Sequence, residues 1–102
     1  MIRPPRAKNI VELTAAAAES GRILYSDHAN RRLCERTITK PEVEYVLIAG
    51  FHEARKDRFN EKFQSWDYAI RGDTVDRRTL RIVVAVISPG VLIVTAIDLS
   101  KR

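Results

Sequence analysis

Leu80-Arg-Ile-Val-Val-Ala-Val-Ile-Ser-Pro-Gly-Val-Leu-Ile-Val-Thr-Ala-Ile-Asp-Leu99 reads as two nearly continuous apolar runs folded back on each other at Pro89-Gly90. Runs of this length, rich in β-branched residues and bounded by a turn dipeptide, predict a hairpin at the centre of a sheet, with strands covered or crowded on both faces. With the turn centred on Pro89-Gly90, Arg81 falls opposite Asp98 and Val84 opposite Thr95, and a slip of one residue changes every pair.

Working outward, Gly72 to Asp76 is a turn, and Phe63 to Ile70 alternates. Gln64, Trp66, Tyr68 and Ile70 share one face of that strand, while Phe63, Ser65, Asp67 and Ala69 share the other. The aromatic pair Trp66 and Tyr68 therefore belongs with the core. Asn60-Glu61-Lys62 is a turn, and the heavily charged Phe51 to Phe59 suits an exposed edge strand.

Before Gly50 the period is helical. Thr39 to Glu42 forms a capping box with Pro41 in the first turn, and Val43, Val46 and Leu47 make the buried stripe of a helix that Gly50 ends. Ser26 to Ile38 is a second helix, capped by Ser26 or Asp27. Arg22 to Tyr25 is a brief extended segment feeding it. Ile10, Val11, Leu13, Ala17 and Ala18 give helical spacing to Lys8 to Ser20, and Gly21 supplies a left-handed stop. Residues 1–7, with Arg3-Pro4-Pro5-Arg6, read as a disordered basic tail, and residues 8–102 as one α+β domain. The expected architecture is N-terminal helices on one side of a mostly antiparallel sheet of four to five strands.

A chain of 102 residues supports one modest core. Its formal charge is +5, and 13 of its 18 basic residues are arginine. Arginine offers a planar fork for phosphate or carboxylate, so the bias points to an anionic partner, with nucleic acid first. The single cysteine, Cys34, forms no internal disulfide and reads as packing. The apolar run Ile10 to Ala18 is too short to span a bilayer and lacks a signal-peptide layout, so no membrane partner is expected and the cytoplasm is the expected location.

The second helix carries the most reactive side chains. His28, Arg32, Glu35 and Arg36 lie within about a third of a turn of one another, beside the apolar strip of Ala29 and Leu33. An imidazole and two guanidiniums in that arrangement suit gripping a phosphate and moving a proton next to it. The competing reading is an ion-pair network with Glu35, Asp67 or Asp98. Arg77 and Arg78, in the loop before the central hairpin, are candidate phosphate contacts, and Arg81 is a further candidate. Two histidines 24 positions apart and one cysteine give no metal-ligand spacing. No glycine-rich phosphate loop or nucleophile elbow is present, so no metal and no cofactor are expected.

The string His28-Ala29-x-x-Arg32-x-x-Glu35-Arg36-x-Ile38, the helix end Val43-x-x-Val46-Leu47-x-x-Gly50, the Trp66-x-Tyr68 strand and the closing valine-rich hairpin resemble the small bacterial domain-of-unknown-function family numbered four-two-five-eight. The similarity spans about Ile23 to Asp98. Members of that family resemble RelE-like ribonuclease toxins, which implies a RelE/barnase-like architecture and metal-free RNA cleavage by acid–base and phosphate-binding side chains. Carried onto this chain, the resemblance points to His28, Arg32 and Arg36, with Glu35 beside them. The first helix and the Arg-Pro-Pro-Arg segment depart from it, as does the lack of a lysine cluster on the strands.

The leading expectation is a toxin-type, metal-independent endoribonuclease of a toxin–antitoxin pair, in which Arg32 and Arg36 hold the scissile phosphate and His28 transfers a proton. RNA is the expected substrate, and an antitoxin-like protein is a possible partner. The alternative is a non-catalytic module that binds nucleic acid or protein.

Overall fold

A computed structural model describes residues 2–100. Three helices pack on one side of a six-stranded mixed sheet. In chain order these are α1 (Ile10–Ser20), β1 (Ile23–Tyr25), α2 (Asp27–Arg36), α3 (Lys40–Ala49), β2 (Phe51–His52), β3 (Arg58–Asn60), β4 (Ser65–Asp73), β5 (Thr79–Val86) and β6 (Val91–Asp98). The sheet order is β1-β6-β5-β4-β2, with β3 also paired to β4. The α+β class is as the pattern implies. The sheet exceeds the four to five strands expected because the short β1 adds to β6 in parallel and the charged Phe51–Phe59 stretch splits in two.

That split has a local cause. Glu53 turns inward and is buried, Ala54–Lys56 makes a single 3-10 turn, and the Asp57 carboxylate accepts a hydrogen bond from the backbone N–H of Ala69. A continuous edge strand would point these carboxylates to solvent instead.

The hairpin β5–β6 forms the centre, as its composition demands. Its register is Val86 with Val91 and Val84 with Ile93, then Val83 with Thr95 and Leu80 with Asp98. The turn centres on Ser88-Pro89 rather than Pro89-Gly90, so Val84 faces Ile93 rather than Thr95, and with a bulge beyond that pair Arg81 faces Ile97 rather than Asp98. Val94 is the extra residue of a β-bulge, which shifts the alternation of β6. Val91, Ile93 and Ala96 consequently all reach the core, together with Leu80, Ile82 and Val84 of β5 and Tyr68 and Ile70 of β4.

Caps fix the helices. Thr39 and Glu42 form the capping box, with the Glu42 N–H donating to Thr39 Oγ1 at 3.2 Å and the Thr39 N–H to Glu42 Oε1 at 2.9 Å. Gly21 takes the left-handed conformation that stops α1, at φ 75°. Gly50 ends α3 differently, in an extended conformation. A Cβ there would lie 2.5 Å from the Val46 carbonyl oxygen and 2.6 Å from that of Arg71, so only glycine lets the helix end cross β4 this closely. Thr14, fully buried on α1, donates to the Val11 carbonyl and reaches toward that of Leu47 on α3.

Helix α2 is fastened to β6 at both ends. Ser26 Oγ accepts from the Ala29 N–H at 3.0 Å, capping the helix, and donates to the bulge carbonyl of Val94 at 3.2 Å. At the other end Arg36 donates to the Ala96 carbonyl. These bonds occupy acceptors along the part of β6 beyond its pairing with β1, an edge that would otherwise be open. Ala29 and Leu33 are buried as their phase requires, whereas Cys34 is exposed rather than packed.

Residues 2–7 form no regular element, yet they are held. The Trp66 indole N–H donates to the Pro4 carbonyl at 2.7 Å, the Ala7 N–H donates to the Tyr68 hydroxyl at 2.7 Å, and Arg6 binds the Asp57 carboxylate. The segment that composition marks as a frayed tail is thus tied to β4, because it meets aromatic side chains that carry a polar atom. Met1 lies outside the described residues.

Candidate active site

Along β4 and β5 the side chains alternate between the helices and the opposite, open face. The buried cluster draws on the helix side of these strands. The open side carries Asp67, Ala69 and Arg71 on β4, and Arg81, Val83 and Ala85 on β5.

Arg71 and Arg81 sit directly opposite each other on neighbouring strands, an unfavourable pairing of like charges unless something intervenes. Glu53 intervenes. Arg81 Nε donates to its Oε1 at 2.7 Å and Arg81 Nη2 to its Oε2 at 3.2 Å, a bidentate fork, while Arg71 Nη1 donates to Oε2 at 3.2 Å. Arg55 Nη2 lies 3.6 Å from the same carboxylate. The Arg81 hydrogen bond, helped by Arg71, holds the Glu53 carboxyl below its ordinary range even though burial alone would raise it. Three guanidiniums around one carboxylate leave the cluster positive. Among the described residues, Arg81 Nη1 and Arg71 Nη2 have no hydrogen-bond acceptor, so both arginines retain donors for an anion.

Beside this cluster runs a groove of about 330 Å³ walled by Lys56, Arg58, Asp67, Arg81 and Thr95. It adjoins a second cavity of about 570 Å³ that includes His28, Phe63, Leu92 and Ile87, and both contain Asp67 and Val94. One end of the combined groove is cationic and the other largely apolar. Asp67 stands between them. Burial pushes its carboxyl up, against a hydrogen bond from Asn60 that lowers it. A carboxylate with raised proton affinity beside arginines whose charge is only partly matched is equipped to take a proton close to a bound phosphate.

The α2 arc does not assemble as its spacing suggests. His28 reaches the groove from the first turn of α2 and is exposed. Arg32 Nη1 donates instead to Glu35 Oε1 at 2.6 Å on the surface, an i,i+3 pair. Arg36 is spent on the Ala96 carbonyl. The two arginines therefore do not converge on a phosphate position beside His28.

Arg78 is also not a free phosphate contact. Its Nε and Nη2 donate to Asp98 at 3.2 and 2.9 Å, Nη2 also to the Arg36 carbonyl at 2.9 Å, and Nη1 to the Thr37 carbonyl at 2.8 Å and to Glu42 at 3.4 Å. One guanidinium thus caps the C-terminus of α2 and joins it to α3 and β6. Its neighbour Arg77 is exposed in a turn, with a positive φ of 65°. Arg81 does lie in the groove.

The sequence pattern singled out neither Glu53 nor Arg71, and it named Asp67 only as an ion-pair partner for the α2 arginines. For Asp67 a signal existed, since alternation had already separated it from Trp66 and Tyr68. For Arg71 the signal was a charge continuing the open-face phase of the same strand. Glu53 carried none, because its position depends on the break after β2.

Among the described residues, no group of three or more His, Cys, Asp or Glu side chains is placed to hold a metal ion. Among the same residues no helix is long and apolar enough to cross a membrane. A family model described as "Domain of unknown function (DUF4258)" matches residues 25–98. No curated protein and no solved structure matches the chain.

Proposed function

The chain belongs to the DUF4258 family, and we propose that it is a metal-independent endoribonuclease of toxin type whose reaction centre lies on the open sheet face. The observation that carries this reading is Arg81, steadied by Glu53 beside Arg71, lining a groove with Asp67, which in turn lines the adjoining cavity of His28. Arg81 and Arg71 bind the scissile phosphate through the donors that Glu53 leaves free, and Glu53 keeps both forks oriented. The Asp67 carboxylate takes the proton of the RNA 2'-hydroxyl as that oxygen forms its bond to phosphorus. The bond from phosphorus to the 5'-oxygen breaks, and the imidazolium form of His28 gives that leaving oxygen its proton. The products are a 2',3'-cyclic phosphate and a free 5'-hydroxyl. The excess of arginine elsewhere on the surface supplies attraction for the polyanion.

The test is cleavage of a mixed-sequence RNA by purified protein in excess chelator, with and without ribosomes, together with growth on expression. Asp67→Asn and His28→Ala are each expected to slow cleavage about 100-fold or more with little change in melting temperature. Arg81→Ala lowers cleavage too, but it also leaves Glu53 less neutralised and so costs stability. Wild-type protein that leaves RNA intact under all these conditions refutes catalysis. The surviving reading would then be a non-catalytic binding module, which the apolar half of the groove favours: Phe63 is 69% exposed there and Ile87 41%. An antitoxin-like protein would fit that half under either reading.

A further inference from the structure

The N-terminal segment builds a second cationic cleft that the reaction centre does not use. Arg3 and Arg6 from that segment face Arg55 and Arg58, around the edge-to-face pair Phe59 and Trp66, and line an open, shallow depression of about 670 Å³. Carboxylates answer these arginines only in part. Asp57 is fully buried and shared among Arg6, His52 and the Ala69 N–H. Glu61, which pairs with Arg3 at 3.5 Å, is itself largely exposed, and Arg55 meets Glu53 only at 3.6 Å. Arg58 has no carboxylate within ion-pair distance among the described residues.

The geometry of the two N-terminal arginines is suited to anions. The Arg3 guanidinium lies 4.8 Å from the centre of the Phe59 ring, and that of Arg6 lies 5.1 Å from the centre of Trp66. Packing against an aromatic ring restrains the long side chain, so less rotamer entropy remains to be lost on binding. The segment is itself anchored through Pro4 and Ala7, so these cations are presented by a fixed backbone. Arg58, on the edge strand β3, lines both this cleft and the groove that holds Asp67 and Arg81. The two are therefore continuous around the sheet edge.

We propose that this cleft binds the phosphate backbone of a single-stranded nucleic acid running from the open-face groove over β3 to the N-terminal segment. The assignment of nucleic acid as ligand rests on the ribonuclease reading. The site itself extends beyond the residues matched by the family model, since Arg3 and Arg6 lie outside them.

The probe is a fluorescein-labelled single-stranded DNA of about a dozen nucleotides, which carries the phosphates but no 2'-hydroxyl to attack, so its binding is read separately from cleavage. Anisotropy titrations across a salt series compare wild type with the double variant Arg3→Ala/Arg55→Ala and with Arg58→Glu. Both exposed side chains of the double variant are expendable for folding, and a melting curve checks this. The double variant is expected to bind more weakly, with a log–log salt slope shallower by about 1.4 if it loses two phosphate contacts. Arg58→Glu, which reverses the charge where cleft and groove meet, should weaken binding further.

If both variants, still folded, bind the oligonucleotide with wild-type affinity and slope, the proposal is overturned. It is equally overturned if a glutamate homopolymer, and not the oligonucleotide, loses affinity in the variants, for the cleft would then serve an acidic protein. Oligonucleotide binding that depends on Arg3 and Arg55 in a protein that never cleaves RNA supports the cleft while refuting the catalytic reading alone.

Discussion

Replacing Arg78 with alanine should be among the most destabilising single substitutions outside the apolar core. The side chain is three-quarters buried and its partners more so, with side-chain exposures of 25% for Arg78, 17% for Glu42 and 11% for Asp98. Its removal leaves Asp98 dependent on Ser100 alone, strands Glu42 except for its capping role, and strips the Arg36 and Thr37 carbonyls at the end of α2 of their donor. Breaking a buried pair from one side costs about 3 to 5 kcal/mol. The residual solvent access here and the retained Ser100 bonds place the loss at the lower end, about 3 kcal/mol. In a domain of this size that lowers the melting temperature by roughly 12 to 24 °C. Circular dichroism melts at neutral pH measure it, and Arg78→Lys should fall between, because one ammonium cannot serve two carboxylates and two carbonyls.

The pH dependence sharpens the test. Asp98 is held below its ordinary range by the Ser100 hydroxyl first and by Arg78 after it, against the effect of burial. A carboxyl depressed in the folded state contributes stability that is fully present above its unfolded pKa, about 3.9, and is lost as pH falls through the folded value. The gap between wild type and Arg78→Ala should therefore be full at neutral pH and shrink in strongly acidic solution. A neutral-pH shift below about 2 °C, or a gap that widens on acidification, would refute the role assigned to Arg78.

Two further outcomes follow from burial and from the groove. Leu33→Ala, at a side chain only 6% exposed on α2, should cost roughly 2 to 5 kcal/mol in denaturant unfolding, and an unresolvable shift would mean that α2 packs through another face. If Asp67 is the base, its raised proton affinity places the rising limb of the cleavage-rate profile above the ordinary aspartate range near 3.9, and a profile flat from pH 4 upward would exclude it from that role.

The main elements were legible because their signals are local. The capping box at Thr39, the left-handed stop at Gly21 and the Pro89-Gly90 hairpin each depend on a few adjacent residues. The exact register of that hairpin was not, since the turn centres one residue earlier, on Ser88-Pro89, and the bulge beyond it depends on what lies on both faces of β6 rather than on its own string. The candidate site was legible only where its members sit on a regular period. His28 and Arg81 could be singled out from one sequence, and helical phase correctly placed Arg32 beside Glu35. It could not show that Arg36 would reach a strand carbonyl sixty residues away. Glu53 was hidden for the same reason: the contacts that make it important, to Arg71 and Arg81, are 18 and 28 residues distant.

The bulge at Val94 sets the reading frame of everything after it. Strict alternation through β6 would send Thr95 and Ile97 toward the helices and Ala96 and Asp98 to the groove side. Straightening the bulge with every residue kept would thus exchange a core alanine for a threonine and withdraw Asp98 from Arg78. Excising Val94 instead keeps the observed pairs and removes the carbonyl that Ser26 Oγ uses at the start of α2. The one residue that β6 carries beyond strict pairing thus serves the start of α2, while the frame it sets serves the core and the Arg78–Asp98 pair.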